Sequence, residues 1–81
     1  MIFKLLKANT NLGQIIKVVG SSSLLGNWDC EKGIELETKD EDYPTWSSRN
    51  LNFSEPIEFE YKFVRCDPFS SEWETGPNRK A

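Results

Sequence analysis

Residues 57–65 read Ile57-Glu58-Phe59-Glu60-Tyr61-Lys62-Phe63-Val64-Arg65. Ile57, Phe59, Tyr61 and Phe63 alternate with Glu58, Glu60 and Lys62. Successive side chains of a strand point to opposite sides, so this period of two marks a strand with one dry and one wet face. The odd positions are expected to meet a core, while Glu60 and Lys62 stand together on the outer surface.

Outward from this stretch, the other apolar runs are short and separated by turn-forming clusters. Candidate strands cover residues 2–7, 14–20, 34–37, 46–53 and 56–65, with a short piece around Trp73. No segment sustains a helical apolar period over three turns, and there is no internal repeat. The chain is expected to be all-β, a single antiparallel domain over residues 1–81, whether whole or a piece of a larger protein. In the run 46–53, inward Leu51 and Phe53 would put Ser47 and Arg49 on their face. Trp46 would then fall on the opposite face, partly exposed.

Size and charge narrow the function. In 81 residues there is room for one small core, so large apolar side chains left outside need a reason. The net charge of -3 disfavours nucleic acid and anionic membrane surfaces, which both select basic faces. No apolar run is long enough to cross a bilayer, and Met1 to Lys7 lacks the features of a secretory leader; a cytoplasmic location is expected. There is no histidine, and Cys30 and Cys66 lack metal-type spacing, so neither a metal site nor a cofactor is expected. The cysteines read as two free thiols, with a disulfide as the alternative. The acidic loop 39–42 lacks the spaced carboxylates and turn glycine of a calcium loop. Without histidine, no Ser–His or Cys–His catalysis is available, and the chain is too short for a two-carboxylate cleft.

Three tryptophans are many for this length, and none lies in an unbroken apolar run. Trp28 sits in the turn Leu25-Gly26-Asn27-Trp28-Asp29, and Trp73 stands between Glu72 and Glu74. A buried indole capping the core is the ordinary role of such a residue. Turn residues and charges on both sides favour exposure to a ligand instead. A glucose ring fits such a surface: its flat C–H face covers an indole, and its rim hydroxyls reach polar side chains. Each stacked face removes on the order of 50–80 Å² of apolar area from water, about 1–2 kcal/mol.

The order of several short motifs resembles carbohydrate-binding module family 20, the starch-binding domain, over nearly the whole chain. They are Val18-Val19-Gly20-Ser21, Leu25-Gly26-Asn27-Trp28, Tyr43-Pro44-Thr45-Trp46, Phe59-Glu60-Tyr61-Lys62-Phe63-Val64, Trp73-Glu74 and Pro77-Asn78-Arg79. The resemblance implies an immunoglobulin-like antiparallel β-sandwich that binds α-glucan, as starch, amylopectin, glycogen or maltooligosaccharide. It implies no catalysis by the module itself, which serves an attached or partner activity. Trp28 and Trp73 match the platform of the family's first site. Lys62 and Asn78 match its hydroxyl contacts, and Glu60 a supporting carboxylate. Trp46 matches the tryptophan of a second site, with Tyr43 a candidate beside it, although Leu12 stands where an early tyrosine belongs. The family's pattern runs past the Asn-Arg pair into a further strand, whereas this sequence stops at Ala81. An open sheet edge is therefore expected, inviting dimerisation or strand exchange. A protein-interaction sandwich without a sugar site is the alternative.

Overall fold

The structure is a computed structural model that describes residues 2–11, 13–52 and 58–80. Its strands are β1 (Lys4–Leu5), β2 (Ile15–Gly20), β3 (Ile34–Glu35), β4 (Trp46–Ser47), β5 (Glu60–Cys66), β6 (Ser71–Trp73) and β7 (Arg79–Lys80). Every pairing between these strands is antiparallel, including those of β1 with β4 and β2 with β5, which are distant in sequence. One sheet runs β3-β2-β5-β6, with β7 pairing the opening of β5; the other is β1-β4.

The longest ladder joins β2 to β5, from Ile15 opposite Cys66 to Gly20 opposite Tyr61. Val18, Phe63, Ile16 and Phe59 project from this region into the principal core, which also takes Phe3, Leu25, Ile34 and Leu36. Phe59 and Phe63 are 6% and 4% exposed, as the alternation requires. Tyr61 is half-buried between them, edge-on to Phe63 at 5.9 Å and to Phe3 at 4.9 Å. Ile57 and Pro56, read as part of the same strand, lie outside the described residues, as do Phe53 and Leu12.

The chain changes sheets just after β3. Leu36 N–H still donates to Ile16 O at 2.8 Å, but Glu37 already exchanges two hydrogen bonds with Ser47. This crossing closes the sandwich at one side. Gly20, at the end of β2, permits the close approach of neighbouring backbone. A Cβ there would strike Glu60 O and lie 2.9 Å from Leu25 Cδ1.

Trp46 is corrected by the fold. It is 7% exposed, inside the principal core, and its indole N–H donates to Ala8 O at 3.1 Å. Regular pairing of β4 ends at Ser47, and Ser48 is buried like Trp46, its hydroxyl accepting from Phe3 N–H at 2.9 Å. Parity counted backwards from Leu51 is therefore invalid. It crosses residues 48–50, which lie in no strand and reset which side faces inward.

Phe63→Ala is expected to cost about 3–5 kcal/mol in urea unfolding, because truncation leaves a cavity between the sheets. Glu58→Ala, at an exposed position, should change stability by no more than about 0.5 kcal/mol. Equal costs would reverse the assignment of faces.

Candidate functional site

The outer face of β5 carries Glu60, Lys62, Val64 and Cys66 in sequence. Its second half is not left to water. Val19, Val64 and Cys66 form a small buried cluster, and Trp28, Cys30 and Ile15 pack against it. Apolar residues at positions 64 and 66, where the alternation calls for polar ones, are the sequence signal of this floor. The signal is short, because the candidate strand read from the alternation ends at Arg65, one residue before Cys66.

The loop between β2 and β3 lays Trp28 on the floor. Residues 23–25 make one 3₁₀ turn, opened by the Ser22 hydroxyl accepting from Leu24 N–H and closed by Gly26 at φ 86°. Asn27 and Trp28 follow with φ 50° and 66°. Three successive left-handed residues reverse the chain sharply, and Trp28 N–H donates to Gly20 O at 2.8 Å. Left-handed backbone costs a bulky L-residue roughly 1–2 kcal/mol. Packing of the indole on Val19 and Val64 offsets that strain, so contact rather than local preference fixes the ring. Asp29 then accepts from Glu31 N–H at 3.0 Å and starts the next single turn, Cys30–Lys32.

Trp73 lies on β6 directly opposite Val64, which puts both side chains on the outer face. It is 38% exposed, and its ring centroid stands 6.4 Å from that of Trp28, with the planes inclined at 41°. The two indoles thus form a shallow, angled pair, one half-buried and one exposed.

Lys62 stands one step along the same face from Val64, about 7 Å away at strand spacing. Its ammonium donates to Glu74 O at 3.0 Å and to Gly76 O, which ties down the turn after β6. An ammonium has three donors, so one is left for another acceptor. Asn78, exposed beyond that turn, donates from Nδ2 to Glu60 Oε2 at 3.4 Å. The five residues read as one site from the sequence are brought onto one face: Trp28 and Trp73 by ring contact, Lys62 and Glu60 by strand parity, Asn78 by Glu60.

Two further residues brace the turn between Trp73 and Asn78 from the opposite side of the sheet, where Arg79 pairs with Tyr61. The Glu74 carboxylate accepts from Phe63 N–H at 3.1 Å and from Arg79 Nε at 3.0 Å. That pairing raises the Arg79 pKa further above its ordinary value and holds its guanidinium 5.2 Å from the Phe63 ring centroid. The motifs Trp73-Glu74 and Asn78-Arg79 contain both residues, but their contact is created only when β6 and β7 pair with the same strand.

Tyr43 and Trp46 do not join this face. Tyr43 is 41% exposed, its hydroxyl accepting from Thr10 N–H at 2.8 Å and lying 3.2 Å from Thr10 O. Trp46 is enclosed as described, so Tyr43 alone of the two is exposed. Among the described residues no cluster of side chains has the make-up of a metal site, and no helix is long and apolar enough to cross a membrane.

The family model described as "Starch binding domain" matches residues 1–81. The chain belongs to this family of non-catalytic carbohydrate-binding modules with a β-sandwich fold. A glucoamylase of Schizophyllum commune is 37% identical over 73 residues, taking in 90% of this chain and 12% of its own length. A cyclomaltodextrin glucanotransferase of Geobacillus stearothermophilus is 39% identical over 74 residues, 88% of this chain and 10% of that protein. The chain thus spans about an eighth of such curated relatives or less. Among solved structures, the family 20 module of a maltotetraose-forming amylase from Pseudomonas saccharophila superimposes with a TM-score of 0.84 at 25% identity, over 99% of this chain and 84% of that one. A glucoamylase from Hypocrea jecorina gives a TM-score of 0.87 at 29% identity, over 99% of this chain and 14% of the enzyme.

The tip between β5 and β6 is closed by the Asp67 carboxylate. The Phe69 and Ser70 N–H groups donate to Asp67 Oδ1, each at 2.8 Å, and hold the Asp67 pKa below its ordinary 3.8. A depressed pKa means the turn is favoured above the unfolded value and released as pH falls through the folded one. The Phe69 and Ser70 amide resonances are therefore expected to titrate with a midpoint below pH 3.8. A midpoint above that value would contradict the turn.

Proposed function

We propose that the Trp28–Trp73 pair is the platform on which α-glucan, in starch, amylopectin or glycogen, is bound, bringing an attached or partner activity to the polymer. The observation that carries this reading is the angled pair itself, 6.4 Å between centroids and 41° between planes, on a face that also bears Lys62 and Asn78. An α-linked glucan coils, so consecutive glucose rings are tilted against one another. Two inclined indoles follow that curvature, whereas a flat stack of sheets such as cellulose would favour coplanar rings. Membership of the starch-binding family and the likeness to a glucoamylase support the same polymer.

The roles follow from the chemistry of each group. Trp28 and Trp73 cover the C–H faces of neighbouring glucose units. Lys62 directs its remaining N–H to a ring hydroxyl, and Asn78 offers both a donor and an acceptor. Glu60 orients Asn78. Two stacked faces and a few hydrogen bonds of about 1 kcal/mol each, less the cost of association, place the affinity in the micromolar to millimolar range. Such weak single-site binding suits a polymer that presents many sites.

Titration with β-cyclodextrin, followed by tryptophan fluorescence, is expected to saturate in that range. It should change little over a roughly tenfold change in salt, because no counterions are released. Trp28→Ala and Trp73→Ala should each weaken binding by about 1–3 kcal/mol with circular dichroism unchanged, and Lys62→Met by about 1 kcal/mol. Undiminished affinity in either tryptophan variant would refute the paired platform. No response from the unmodified chain would favour a protein-interaction sandwich.

A further inference from the structure

Cys30 and Cys66 are distant in sequence, yet the fold brings their sulfurs to 3.5 Å. Cys30 opens the single turn directly after Trp28, and Cys66 is the last residue of β5. Both belong to the cluster on which Trp28 rests, Cys66 buried and Cys30 half-buried. Ser71 Oγ lies 3.7 Å from Cys30 Sγ, so the pair sits where the Trp28 loop meets the strand that carries Trp73.

We propose that Cys30 and Cys66 are a redox-active pair whose closure to a disulfide fastens the Trp28 loop to β5 and stiffens the indole platform. A disulfide needs the sulfurs about 2.05 Å apart, so about 1.5 Å of sulfur travel separates this geometry from the bond. The reaction is a two-step exchange with a small-molecule disulfide such as oxidised glutathione. Cys30, the more accessible sulfur, loses its proton to solvent and attacks one glutathione sulfur, and a glutathione thiolate leaves. Cys66, deprotonated in turn, attacks the Cys30 sulfur of the mixed disulfide and expels the second glutathione thiolate. Two thiols are oxidised and one glutathione disulfide is reduced to two thiols. Burial raises the Cys66 pKa and disfavours its thiolate, which leaves the more accessible Cys30 as the point of entry.

The tie acts where the loop is least secure. Trp28 holds a left-handed backbone against its own preference, and the floor beneath it is small. Joining residues 30 and 66 removes freedom that the loop would otherwise lose on binding, and pre-organised platforms bind more tightly. This coupling to sugar rests on the glucan reading above; formation of the bond does not.

The test uses the full chain equilibrated in glutathione buffers of graded potential. Peptide mapping is expected to find an intramolecular Cys30–Cys66 link, and Tm should rise on the order of 10 °C on oxidation. Cys30→Ser and Cys30→Ala should both lack that rise. β-Cyclodextrin should bind the oxidised chain several-fold more tightly than the reduced chain. A chain that keeps both thiols, or stops at a glutathione adduct of Cys30, overturns the pair. Equal sugar affinity of the two forms overturns the stiffening. A disulfide with its Tm rise but no sugar binding in either form refutes the glucan reading and the coupling, and leaves the bond established.

Discussion

The ladder between β2 and β5 buries valines on both of its faces, and the rest of the molecule is arranged to meet that demand. On one side Val18 and Phe63 project into the space between the sheets, where Phe3, Leu36 and Trp46 meet them. On the other side Val19 and Val64 are fully buried without any second sheet above them. Their cover is a loop. Because it must close over valines from two strands, the loop turns sharply and packs an aromatic ring on the floor. The indole remains half-buried rather than enclosed.

This origin explains how the two rings are brought together although one of them comes from a loop. Trp28 is held from below by the valine floor and at its backbone by Gly20 O, and Trp73 by strand pairing opposite Val64. Lys62 is held by two carbonyls of the turn beyond β6, Asn78 by Glu60, and that turn by Glu74 paired to Arg79. Each group of the proposed site is thus positioned by a contact serving the fold as well. The platform is angled because its two rings arise from different supports, a reversed loop and a twisted strand.

Trp46 shows how the same residue type takes the opposite role. Both it and Trp28 stand beside turn-forming residues in short, mixed stretches. Trp46, however, begins a strand of the smaller sheet, and its indole N–H finds Ala8 O within the core. An indole with its one donor satisfied inside the protein is comfortable there. Trp73, between two glutamates on a strand with no further cover, has no such refuge.

The alternation of residues 57–65 was enough, without coordinates, to place Phe59 and Phe63 inside and Glu60 with Lys62 outside, because strand parity is a local property of the backbone. Motif order likewise marked Trp28, Trp73 and Asn78. Three matters were decided by tertiary structure alone: the burial of Trp46, the choice of the Trp28 loop as cover for the valine floor, and the approach of Cys30 to Cys66. Each depends on which distant segment lies across a given face. That is a long-range question of packing, and no period within a single segment encodes it.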